Sequence, residues 1–149
     1  ATAATEITSL QTTSAKLNAE NDFNGNVIRE ANFIANSEEA YVTDEVTASQ
    51  DLRFVNGNYQ VITVGADVTL TLTDWPATGK LGKIRCAVKG DGVSRLITFS
   101  AGPNRVLKTD TNWPVSFLAV SETDPIFIDL WSSDAGLTVY GQYHGQFTV

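Results

Sequence analysis

The sequence predicts an all-β protein: a β-sandwich or barrel-like domain over residues 37–149, preceded by an extended, partly helical N-terminal arm over residues 1–36. Two observations carry this. From Tyr41 onward, short stretches alternate apolar and polar residues with period two, the pattern of half-buried strands. Between them lie regular clusters of turn formers, such as "VNGN", "VGAD", "KGDGVS" and "SSDAG". Residues 1–36 lack this regular strand alternation.

The arm comes first. Residues 1–21 lack Gly and Pro, and Thr8 to Gln11 has the form of a capping box. Leu10, Ser14 and Leu17 follow at helical spacing, so a short helix is expected that is marginal alone in water. "DFNGNVIREANFIAN" (22–36) breaks it at Asn-Gly, and its apolar residues keep neither period. Ile7, Leu10, Leu17, Phe23, Val27, Ile28, Phe33 and Ile34 are therefore the candidate contacts of this arm with a partner surface.

Nine strands are predicted after it: 40–48, 52–55, 59–64, 66–73, 81–89, 94–100, 115–120, 125–131 and 137–147. In "VTLTLT", Val68, Leu70 and Leu72 share one face, and three threonines share the other. In "KIRCAVKG", Ile84, Cys86 and Val88 face inward, opposite Lys83, Arg85 and Lys89, so the single cysteine is expected to be a buried, inert thiol. "DLWSSDAGLTVYGQYH" holds two acids and the only histidine, His144. Ile126, Ile128 and Leu130 alternate before its turn, and Leu137, Val139 and Tyr143 after it, so a hairpin is predicted. A catalytic or metal-binding reading of His144 would need a second histidine or a close carboxylate partner, which the local sequence does not offer.

Composition bounds the function. The 149 residues and 42% hydrophobic content suit one soluble domain with a core, or a small domain plus an arm. No apolar run approaches the ~20 residues that span a bilayer, so no membrane partner is expected. The opening residues have neither a basic region nor an apolar core, so no secretory signal is expected in them. A chain without Met fits either removal of an initiator methionine or excision of a fragment. The net charge is −7, with eight acids and two bases in residues 1–50, and no basic stripe is present; nucleic acid is not an expected partner.

No catalytic motif is present: no GxSxG, HExxH, P-loop or Cys-His pattern. No catalytic residue, metal or cofactor is expected. Glu38, Glu39, Asp44 and Glu45 cluster without the alternating oxygen ligands and Gly turn of a calcium loop, so they read as a solvated acidic face. Trp75, Trp113 and Trp131 are candidate platforms for glycan stacking, although Trp75 and Trp113 precede Pro at strand ends, where an indole plugs a β core.

"VTLTLTDWPATGKLGKIRCAVKGDGVSRLITFSAGPNRV", followed by "FIDLWSSDAGLTVYG", resembles a β-rich module of bacteriophage virion proteins. The likeness rests on Asp74-Trp75-Pro76, Gly90-Asp91-Gly92, Thr98-Phe99, and Asp134-Ala135-Gly136 before Thr138-Val139-Tyr140-Gly141. It spans roughly residues 55–141 and departs at "SDAG", where "DDGG" is more usual. "DFNGNVIREANFIAN" is similar to the turn-and-strand segment that opens tail-fibre modules. The resemblance implies a non-enzymatic virion structural protein that forms a homotrimer. The expected role is a capsid decoration or cement protein on the head surface, contacting the major capsid protein or another virion protein. The alternatives are a tail-fibre or receptor- or glycan-binding module, or a free carbohydrate-binding module.

Overall fold

A computed structural model describes residues 34–35 and 37–148. Ser37–Val149 is a unit of its own. Ten strands run β1 Tyr41–Val46, β2 Gln50–Arg53, β3 Tyr59–Val64, β4 Val68–Thr73, β5 Gly82–Lys89, β6 Arg95–Ser100, β7 Val106–Thr109, β8 Phe117–Ala119, β9 Ile126–Ser132 and β10 Thr138–Gln146. A 3-10 turn, Phe54–Asn56, follows β2 and takes the place of the end of the strand predicted over 52–55. β7 was not predicted.

The strands form two sheets, one in the spatial order β1-β3-β5-β9-β10-β7 and one in the order β2-β4-β6-β8. The all-β class is therefore observed. The two sheets have separate strand orders, so the barrel option does not describe them. Through β6 the chain changes sheet after every strand. β1, β3 and β5 are mutually parallel neighbours, as are β2, β4 and β6. "VGAD", between β3 and β4, is thus a corner between sheets and not a hairpin turn. The direction then reverses. β9 runs antiparallel to β5, with Ile84 opposite Leu130, and β8 runs antiparallel to β6, with Leu96 opposite Leu118.

Both sheets turn their alternate residues onto one core. Ile62, Val64, Ile84, Cys86, Val88, Ile128, Leu130 and Val139 come from the six-stranded sheet, and Val68, Leu70, Leu72, Ile97 and Phe117 from the four-stranded one. Gln60 interrupts this set at 1% exposure. Its amide donates to the carbonyls of Arg53 and Gly57 at 2.8 and 2.9 Å, which removes the cost of burying it.

The β9–β10 hairpin forms where the sequence predicts it. Asp134 accepts from the backbone N–H of Thr138 at 2.9 Å, and the Ser132 hydroxyl accepts from that of Gly136 at 3.0 Å. Ala135 and Gly136 both have positive φ. Leu137 is the exception to the predicted inward set, since it lies in the turn at 59% exposure.

An aromatic cluster joins the last strands. Trp113 meets Phe117 and Phe99 edge-on, and Phe117 meets Tyr143 in the same way, with centroids 4.8–5.8 Å apart. Trp113 lies so close over β10 that a Cβ at Gly141 would fall 2.6 Å from its ring. Gly141→Ala therefore forces the indole out of this seat. It is expected to cost about 1–3 kcal/mol, read as a lower urea midpoint with an unchanged slope.

Candidate functional site

The outward residues of the six-stranded sheet form the one chemically distinctive surface described. Register aligns them in rows across the strands. Tyr59 stands opposite Arg85, Arg85 opposite Asp129, and Asp129 opposite Gln142. In the next row Lys83 stands opposite Trp131, Trp131 opposite Tyr140, and Tyr140 opposite Lys108. Trp131 and Tyr140 stack at 5.8 Å with their planes 15° apart, and the Lys108 ammonium sits 5.9 Å from the Tyr140 centroid.

Asp129 is the centre of this face. It points outward, yet its side chain is only 5% exposed because cations cover it. Arg85 donates from Nε to Oδ1 at 2.7 Å and from Nη2 to Oδ2 at 2.8 Å, a bidentate pair. Lys83 Nζ lies 3.2 Å from Oδ2, and His144 Nε2 lies 3.1 Å from the same oxygen. The hydrogen bonds from Arg85 hold the Asp129 carboxyl well below the usual carboxylate range, against the opposing effect of burial. The lysine and histidine contacts add to the same shift.

His144 therefore has the carboxylate partner that its local sequence did not offer. The partner is Asp129, across the hairpin. Parity was the available signal, since Lys83, Arg85, Asp129 and His144 all belong to the polar sets of their strands. The predicted hairpin joins the strands of His144 and Asp129; for Lys83 and Arg85 the sequence lacked the pairing of β5 with β9. Cys86 cannot join this group. It lies on the inner face at 0% exposure, and burial pushes its thiol pKa up.

Of the three tryptophans, only Trp131 lies on the outer face. Trp75 is buried and stacks on Phe54 at 5.9 Å, and Trp113 is half-buried against the cluster described above. Trp75 is thus not free to stack on a glycan, Trp113 lines a groove with Leu96, Phe99 and Phe117, and one side of Trp131 is taken by Tyr140. Ile7, Leu10, Leu17, Phe23, Val27, Ile28 and Phe33 lie outside the described residues, as does the expected helix. Ile34 is described and is 83% exposed. Glu38, Glu39, Asp44 and Glu45 are exposed, and among the described residues no group of three His, Cys, Asp or Glu side chains is placed to hold a metal ion. No described helix is long and apolar enough to cross a membrane.

Compared with protein families, curated proteins and solved structures, the chain matches none.

Two measurements check the site's physics. Asp129→Asn leaves the cations without their counter-charge and is expected to cost about 2 kcal/mol at neutral pH, less than a fully buried pair because Arg85 and Lys83 are half-exposed. The folded carboxyl titrates below its unfolded value. The wild type's advantage is therefore full above about pH 4 and shrinks as the pH falls toward the folded value. Urea melts of both proteins at neutral pH and near pH 3 should show the gap closing; an unchanged gap would mean that charge is not the origin. Separately, Cys86 should stay silent toward a thiol-reactive dye in the native protein and react in full once the protein is unfolded.

Proposed function

We propose that this chain is a non-enzymatic bacteriophage virion structural protein. In this reading it acts as a homotrimer that decorates the capsid surface and binds the major capsid protein or another virion protein. The observation that supports it best is the outer face of the four-stranded sheet. Across β4, β6 and β8 its outward positions carry no charge: Thr69, Thr71 and Thr73, then Leu96, Thr98 and Ser100, then Leu118. Leu96 and Leu118 are cross-strand partners at 40% and 51% exposure, and Val115 and Val120 extend the apolar strip. A sheet face left to water ordinarily carries charges that discourage association; here they are confined to the edge strand β2, at Asp51 and Arg53, and β4, β6 and β8 present none. It suits contact between copies around a symmetry axis.

The arm supplies the second part of this reading. About 36 residues fully extended reach roughly 100 Å or more, enough to cross onto neighbouring shell subunits. Several weak contacts held by one tether add through effective concentration. The resemblance over residues 55–141 points to the same class of protein. A second reading, a tail-fibre or receptor- or glycan-binding module, draws its support from the aromatic and cationic face around Asp129.

The full chain should sediment as a trimer at micromolar concentration, and Leu118→Glu should weaken assembly at least about tenfold by placing a charge in the contact. Deleting residues 1–36 should leave the β unit folded, because it has its own core, and abolish co-sedimentation with empty shells. A stable wild-type monomer overturns the trimer, and shell binding by the truncated chain overturns the arm as anchor.

A further inference from the structure

Arg85 separates two grooves on the outer face of the six-stranded sheet. One, of about 560 Å³, is lined by Glu38, Asn58, Tyr59, Lys83 and Arg85. The other, of about 410 Å³, is lined by Arg85, Phe127, His144 and Phe147. Both lie within the size range of small-ligand sites.

The chemistry of the shared wall decides what fits. Arg85 presents Asp129 with its Nε and Nη2 side. A guanidinium has a second donor edge, formed by Nη1–H and the other Nη2–H, of the right geometry for a second planar anion. At 48% side-chain exposure that edge reaches solvent, and the buried carboxylate beneath fixes its orientation. Lys83, 54% exposed, spends one donor on Asp129 and keeps the others. One carboxylate thus anchors two permanent cations, and the other acid near them is Glu38, on the far wall of the first groove. Away from Arg85 each groove has an aromatic wall, beside Glu38 and Asn58 in the first and His144 in the second. Tyr59 stands on one side, and on the other Phe127 and Phe147 meet edge-on with centroids 5.2 Å apart.

We infer that this face binds an acidic saccharide: its carboxylate lies on the free Nη1/Nη2 edge of Arg85 beside Lys83, and the flanking pyranose rings lie against Tyr59 on one side and Phe127 and Phe147 on the other. A sugar chain with isolated carboxylates matches one Arg–Lys pair between two aromatic walls. A nucleic acid needs a track of cations along its backbone, and this face does not extend one. Asp129 is a positioning residue, which aims both cations without touching the ligand. The inference rests on the second, glycan-binding reading and not on the capsid-decoration one, which the trimer and shell assays test separately.

The test is calorimetric titration of the full chain with hexagalacturonate and with a hyaluronan hexasaccharide, each beside the same oligosaccharide with its carboxyls reduced to alcohols. At least one acidic probe should bind, its reduced form at least about tenfold more weakly. Arg85→Gln and Lys83→Gln should each cost a similar factor. Phe147→Ala, at an exposed position, should weaken binding of acidic and reduced probes alike and covers the case in which Arg85→Gln fails to fold. Lys89→Gln, on the same strand outside both grooves, should change nothing. No binding of either acidic probe at millimolar concentration overturns the inference. So does equal binding of the reduced forms, or tighter binding of an oligothymidylate than of both saccharides.

Discussion

Two parallel strands can be neighbours only if the chain returns to its starting end between them, and a tight hairpin cannot do that. This chain makes the return by spending the intervening strand in the opposite sheet. β2 carries it back between β1 and β3, and β4 between β3 and β5. Each crossing builds the second sheet as it serves the first. Every strand therefore has an inward and an outward face, and the two sheets share one core. The corners, the alternating burial of β3 and β4 and the chemistry of the outward faces all follow from this route.

The same route explains what was readable in the sequence. Alternation in "VITV" and "VTLTLT" located β3 and β4 and named their buried residues, because one buried face imposes period two whichever neighbour a strand has. Parallel and antiparallel pairing leave the same mark, so the order of the strands was not readable. The final hairpin was, since Asp134 and Gly136 are turn formers whose roles are local. β7 was missed for a physical reason. Val106–Thr109 is four residues at a sheet edge with one half-buried side chain, Leu107, between two turn clusters, too short to show a period. The surface around Asp129 was half readable: parity placed each residue outward, but only the adjacency of β5, β9 and β10 gathers them.

The two outer faces are chemically opposite. One is a field of threonines merging into Leu96, Leu118 and Val115, its charges confined to Asp51 and Arg53 on the β2 edge. The other holds paired aromatics and cations organised by a carboxylate that the cations themselves shield from water. In the proposed reading, one of these surfaces faces other copies of the chain and the other faces outward.

The position of the last strands has a bearing on synthesis. β9 and β10 are made last, yet they occupy the middle of the six-stranded sheet, between β5 and β7. β7 has β10 as its neighbour in the sheet, so when β7 leaves the ribosome its place does not yet exist. The coils of β1 to β6 can assemble on the nascent chain from the N-terminal side. Their open edge at β5 must then wait, unpaired, until the hairpin emerges to cover it. During that interval the Cys86 strand presents an unfilled sheet edge to whatever is nearby. For this fold the β9–β10 hairpin is the element that closes the edge at β5.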